Sequence, residues 1–518
     1  MAASWGEALD MLTTRRFVII LLVLLFGGCA HWARTLTSSL RDHLAGPATI
    51  RSCAELFTAA ERRVDAAGVI DSEAARIPGF PYLRVNRFLS DFRNEVVGPG
   101  FDAWVDRMQQ LAMQGWRVEL ANVTAPDRRV LETSIGAVPP ADEGLARRLR
   151  DCADLLRRTD LNESRERAVL RDRAVVPAEY RAWQRVVGLY PLTALLFRVG
   201  IGRWHDEVRA TYAQPMASLP VDGTLLRYRP AVDAGPVRSQ EIARILEEAS
   251  ANALKIPQPT GADRERLFAA FAPLFEIDVV SDDDRIGAPR WGESDLPHID
   301  TRRPTVYRHL SHTRVGRQVL LQLNYTIWFP ARPRTSPFDL LGGHLDGITW
   351  RVTLLPDGRP WVYDAIHNCG CYHLFFPTQN AQPLPRKMTL AEPAFMPQQL
   401  LTMKEGDRPV LRIAHTTHYI QRVQFNVPER VGQATAYRWE SADVLRSLPK
   451  PDGSRRSLFR EDGIVAGSER RERFFFWPMG VPEPGAMRQW GHHATAFVGR
   501  RYFDDARLFE PLFGIDDR

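Results

Sequence analysis

The sequence predicts an α+β protein: a helical N-terminal region followed by an antiparallel β-rich C-terminal domain of jelly-roll or sandwich-like type. Three observations predict it. From residue 50 to about 255, apolar residues recur at three-and-four spacing with charged residues between them, the period of amphipathic helices. Past roughly residue 274 the texture changes to short alternating runs bounded by turn residues, the period of half-buried strands. The chain of 518 residues is long enough for two or three domains with a sizeable core. The expected division is an export signal and anchor over 1–29, a mainly helical domain over 30–230, a helical connector over 231–275 and a β-rich domain over 276–518.

At the start, Arg15-Arg16 precede an apolar run from Phe17 to Phe26 that ends in Gly27-Gly28-Cys29. A basic head, an apolar core and small residues at a boundary describe an export signal. The run is short against the roughly 20 residues of a membrane span. Leu25-Phe26-Gly27-Gly28-Cys29 resembles the lipobox of a bacterial lipoprotein signal. That resemblance implies lipidation of Cys29 as the mature N-terminus; an uncleaved signal anchor is the alternative. In both cases the expected location is the bacterial cell envelope, with the body tethered to the membrane and facing the periplasm or exterior.

The segments starting at Cys53, Phe101 and Ala141 have the helical spacing, with charged opposite faces. The apolar run after Pro177 is interrupted by Pro191 and Arg198, which predicts a buried or interfacial segment rather than a second span. Ser239 is placed to cap a further amphipathic helix. The Pro-rich, poorly periodic stretch from Pro215 to Pro236 reads as a seam. Segments beginning at Glu276, Val306, Gln318, Val410, Ala434, Arg473 and Ala494 read as strands. The net charge of +6 comes from arginines spread along the chain, so no nucleic-acid partner is expected. Cys53 and Cys152 could pair in an oxidising compartment.

The chain is organised around Gly342 to His373. Ile348 to Leu354 alternates as a strand, Asp357-Gly358 is a hairpin signal, and Trp361 to Ile366 runs back. That register sets Leu354 against Trp361, Val352 against Tyr363, Trp350 against Ala365 and Ile348 against His367. Continued, it sets Asp346 against Cys369 and His344 against Cys371. The hairpin is therefore apolar near its turn and polar at its open end. His367-x-Cys369-x-Cys371-x-His373 has the look of a zinc string, but its outer histidines would lie roughly 20 Å apart on a straight strand. One tetrahedral ion could not use all four unless Gly370 bends the chain.

Ten of the thirteen histidines fall between residues 298 and 493, which favours a site in the β-rich half. The first expectation is a zinc-type hydrolytic site acting on envelope material. Its ligands are drawn from His344, Asp346, His367, Cys369, Cys371 and His373, with His418 or His492 as a further ligand or general base. No H-E-x-x-H or G-x-S-x-G signature occurs. The alternatives are a non-catalytic envelope scaffold or binding lipoprotein with a structural Cys/His cluster, and a thiol-dependent enzyme using Cys369 or Cys371. His344-x-Asp346 before a strand also resembles the proximal half of the metal triad of the 2-oxoglutarate oxygenases, which implies iron as the alternative metal.

Overall fold

The computed structural model describes residues 43–134, 141–231, 237–385, 389–400, 404–425 and 433–515. Cys29 and the whole of the expected export signal lie outside them. Among the described residues no helix is long and apolar enough to cross a membrane.

Helices α1 (Ala48–Ala67), α2 (Arg87–Asp91), α3 (Pro99–Asn122), α4 (Ala125–Ser134), α5 (Ala141–Asp160) and α6 (Ser164–Arg173) pack with a small hairpin of β1 (Ala75–Ile77) and β2 (Phe80–Val85). Their shared core includes Phe57, Tyr82, Trp104, Met108, Trp116 and Leu149. Cys53 of α1 and Cys152 of α5 are joined there as a disulfide. Two further helices, α7 (Ala182–Val187) and α8 (Tyr190–Ala213), follow on the surface.

The rest of the chain builds a sheet of ten strands and, beside it, small two-stranded pairs. Strand β3 (Thr224–Pro230) lies in the Pro-rich stretch, and α9 (Ser239–Ala249) and α10 (Gly261–Ala270) lead to β4 (Leu274–Val279). A satellite pair, β5 (Ala288–Trp291) and β6 (Pro297–Asp300), precedes the long strands β7 (Thr305–Val315), β8 (Gln318–Arg332), β9 (Gly343–Leu354) and β10 (Pro360–His367). Then come β11 (Leu374–Pro377), β12 (Ala381–Pro383), β13 (Pro409–Ile413), β14 (Ile420–Phe425) and β15 (Gln433–Ser441). The sheet order is β11-β10-β9-β8-β7-β15-β3-β4-β13-β14.

This corrects the expected antiparallel jelly roll or sandwich. The β7 to β11 end is an antiparallel meander, but β15 pairs parallel to both β7 and β3, and β13 parallel to β4, so the sheet is mixed. Alternation along a strand reports which face is buried and is silent about the direction of the neighbour, which distant crossovers decide. Ile242, Ile245, Leu267 and Phe268 of α9 and α10 cover the face that carries Leu323, Ile348, Trp350 and Tyr363. Two expected strands are absent: Arg473–Phe476 is a helical turn, and the segment from Ala494 is irregular, with one isolated bridge between Ala494 and Tyr502.

The central hairpin forms in the expected register over most of its length: Tyr363 pairs with Val352, Ala365 with Trp350 and His367 with Ile348. Near the turn it slips. Pro360, not Trp361, lies opposite Leu354, and the shift sends Trp361 to the other face, against Phe509 and Phe513. At the open end the ladder stops at His367. His344 and Asp346 pair with Ala331 and Phe329 of β8 rather than with the cysteines.

Candidate functional site

The reason the hairpin stops is local. The Asn368 backbone N–H donates to Gly347 O at 2.9 Å, and its side-chain amide donates to Ile327 O at 3.2 Å. A Cβ at position 347 would lie 2.1 Å from that amide nitrogen, so Gly347 admits the close approach. Gly370, at φ +87°, then turns the chain back, with His367 N–H donating to Cys371 O at 3.0 Å. The His-x-Cys-x-Cys-x-His string is thus a tight turn, and its side chains diverge.

Each sequence-predicted residue has a defined place. The His344 Nε2 lies 2.6 Å from Pro297 O. Cys369 packs in an apolar cluster with Trp328 and Leu345, and its sulfur accepts from the Cys371 N–H at 3.4 Å. A hydrogen bond to Cys369, with burial added, pushes the Cys371 thiol well above its ordinary pKa, so it stays protonated. The His373 Nε2 lies 2.8 Å from Asp364, which Arg351 also grips at 2.6 and 2.8 Å. The His492 Nδ1 faces Glu179 at 2.9 Å and its Nε2 faces Ser72 O at 2.9 Å, which ties three distant segments together.

Three of the predicted residues do come together. Asp346, wholly buried, lies 2.8 Å from His418 Nδ1, 3.6 Å from His367 Nδ1 and 3.3 Å from Arg470 Nη2. On its other side His418 Nε2 is 3.4 Å from Asp284, and its ring stacks on Phe329 with centroids 3.9 Å apart. Burial by itself would raise the Asp346 carboxyl, but Arg470, His367 and His418 outweigh it and hold it well below the usual carboxylate range. Burial would likewise lower the His418 pKa, but Asp284 and Asp346 outweigh it and raise it, favouring imidazolium. His367, with weaker compensation, is lowered by burial.

This set does not fit a zinc or iron centre. Arg470 places a fixed cation against Asp346, and a metal ion there would add positive charge beside it. The six residues expected as ligands provide no group of three whose ligand atoms lie within 4.8 Å of one another. Among the described residues, Asp222, Asp278 and His415 meet that spacing. Their arrangement has a local cause: the Asp278 carboxylate accepts the N–H groups of Asp222 and Gly223 at 2.9 and 3.0 Å, and His415 lies 3.0 Å from Asp222.

Residues 369–373 instead form one wall of an apolar pocket of about 480 Å³. Phe197, Ile201 and Trp204 of α8 make the facing wall. Polar groups reach it from several parts of the chain, among them Tyr372, Tyr419, Glu472 and Glu392, the last lying 3.4 Å from Arg501. The two tyrosine rings sit 4.7 Å apart, and the Tyr419 hydroxyl accepts from Arg332 Nη2 at 3.3 Å. Burial pushes Glu472 up to about 7, against the downward pull of Arg470 and Arg332. The buried Asp346 network lies behind this wall and holds Arg470 in place. A second cavity of about 480 Å³ runs between the helical part and β7, but its walls mix Arg107, Glu265, Arg308 and Asp443 with apolar side chains. A mostly apolar hollow with few convergent polar groups is the better candidate for a ligand site.

The sequence offered no signal for Glu472, which sits in the run Ser468-Glu-Arg-Arg-Glu-Arg473 and reads as a solvated charged segment. Tyr372 lies inside the central stretch, but a lone tyrosine between Cys371 and His373 carries no spacing that marks it.

A pH prediction follows from His373, which burial lowers to about 4 although Asp364 pulls the other way. The unfolded chain protonates this group near 6.5 and the folded one does not, so stability falls as pH drops between about 6.5 and 4. His373→Gln is expected to reduce that acid-side slope by up to about 1.4 kcal/mol per pH unit. Urea unfolding at pH 6.5, 5.5 and 4.5 checks this, and an unchanged slope would count against a neutral buried His373.

No protein-family model matches the chain, and neither a curated protein nor a solved structure matches it, so the functional reading rests on the chemistry of the site.

Proposed function

We propose that the chain is a membrane-tethered cell-envelope enzyme that binds an amphiphilic envelope component in the pocket beneath α8 and hydrolyses it by acid–base chemistry. The observation that carries the reading is the pocket itself: an apolar hollow of about 480 Å³ with a buried carboxyl group, Glu472, and two tyrosines on its wall. The export-signal pattern and the Cys53–Cys152 bridge support an oxidising compartment outside the cytosol.

Glu472 is the proton-transferring group in this reading. A carboxyl held at about 7 populates both forms at neutral pH, so it can take a proton from water and return it to a leaving group. Tyr419, beside Arg332, is placed to donate to negative charge developing on the substrate. The protonated Cys371 is poorly suited to nucleophilic attack, which sets the thiol alternative behind this one.

The test incubates the full-length chain with extracted envelope lipids and follows products by mass spectrometry, beside Glu472→Gln. The expected result is turnover in the parent and a loss of roughly 10²- to 10⁴-fold in the variant. Lipid bound in the pocket without product from either protein would overturn the enzyme reading and favour the binding lipoprotein. Equal turnover by both would remove Glu472 from its role.

A further inference from the structure

Helix α8 has two apolar faces. One, through Phe197, Ile201 and Trp204, closes the pocket. The other points outward: Leu192, Leu195, Leu196 and Val199 follow the i, i+3, i+4, i+7 spacing of a single helix face. That face belongs in water only if it is polar, and it is not. Leu192 is 65% and Leu196 75% exposed, and Trp183 and Val186 on the preceding α7 are 60% and 70% exposed. Phe474 and Phe475 are exposed on the turn that lies against α8, where the neighbouring Phe476 packs on Phe197 with ring centroids 5.1 Å apart. A contiguous exposed apolar surface of this kind marks a place of contact.

The charge around the patch selects the partner. From Arg181 to Arg203 the chain holds four arginines and no acidic residue, and Arg181, Arg203 and Arg471 are exposed. A short apolar helix face rimmed by arginine fits the boundary of an anionic bilayer, where such a face sinks roughly 5–10 Å while the cations meet phosphate. No described helix is long and apolar enough to span. Lying on the membrane is the geometry that remains for α8 among membrane contacts.

We infer that α7, the first half of α8 and the Phe474–Phe475 turn form a bilayer-docking face, through which the acyl chain of a membrane lipid enters the pocket. Leu196 belongs both to the outer face and to the pocket lining, so the two are continuous. The identity of the guest rests on the reading of the pocket above; the docking itself does not.

Docking is tested with the full-length chain reconstituted into vesicles containing phosphatidylglycerol, with bromine-labelled or unlabelled acyl chains. The readout is the part of the tryptophan emission lost in Trp183→Phe, an exposed substitution that leaves the core untouched. The expected result is that bromolipid quenches this component and aqueous acrylamide does not, and that Leu192→Asp/Leu196→Asp reverses both. Acrylamide access in the parent would overturn the proposal. Shielding from both quenchers would overturn it too, assigning the face to a second copy or to the chain's own residues 1–42. Neither readout depends on turnover, so Glu472→Gln should dock like the parent whether or not the enzyme reading holds.

Discussion

The Cys53→Ala/Cys152→Ala chain is expected to lose about 4–5 kcal/mol of stability against unfolding of the helical part, because the bridge closes a loop of roughly a hundred residues. The two cysteines are 99 residues apart and join α1 to α5 inside the core. In the chain-entropy view a cross-link of that span removes about 4.7 kcal/mol of freedom from the unfolded chain. Removing two buried sulfurs also leaves unfilled space beside Phe57 and Leu149, which adds to the loss. Urea unfolding followed by circular dichroism, with the parent measured oxidised and reduced, checks the figure. A loss below about 1 kcal/mol in both comparisons would show that the bridge constrains little.

Asp346→Ala is expected to cost about 3–5 kcal/mol, the penalty typical of breaking a buried ion pair from one side. The substitution leaves Arg470 and the His418 imidazolium without their shared counter-charge in a site sealed from water. The pH dependence has two signs. The Asp346 pKa is depressed in the folded chain, so its contribution is present above the unfolded value near 4 and is lost as pH falls. The His418 pKa is raised, so its contribution is present below about 6.5 and is lost as pH rises through the folded value. In Asp346→Ala the folded pKa of His418 falls back towards its ordinary value, so the decline above about pH 6.5 should be smaller, and end at lower pH, than in the parent. Unfolding measured at pH 5, 7 and 9 reads this directly. A variant as stable as the parent at pH 7 would mean that the network is held by its other partners.

The Asp346 network and the pocket are connected. Asp346 fixes Arg470, and the Arg470 charge acts on Glu472 of the pocket wall. Loss of Asp346 therefore acts on the site through the backbone that carries both residues, while Glu472→Gln acts on the site alone.

What the sequence determined by itself were the features written in short-range spacing. The amphipathic helices and the hairpin register that sets Ile348 to Val352 against Tyr363 to His367 follow from periods of 3.6 and 2, whereas the turn-proximal slip and the early sheet strand β3 left no such mark. The change from an apolar to a polar hairpin face was legible because His and Asp residues gather at its open end. Tertiary structure decided the rest. The direction of β15 and β13 depends on connections of more than about a hundred residues, so the mixed sheet left no local mark. The pairing of Asp346 with His418 joins residues 72 apart, and its effect is to make an ion network of a motif that alone resembled a metal ligand pair. Glu472 reads as solvated among arginines in the sequence, and becomes a carboxyl held at about 7 because folding brings it to an apolar wall. Spacing along a chain encodes which face is buried; the electrostatics of a site come from what distant segments place against that face, and for this protein that was settled only on folding.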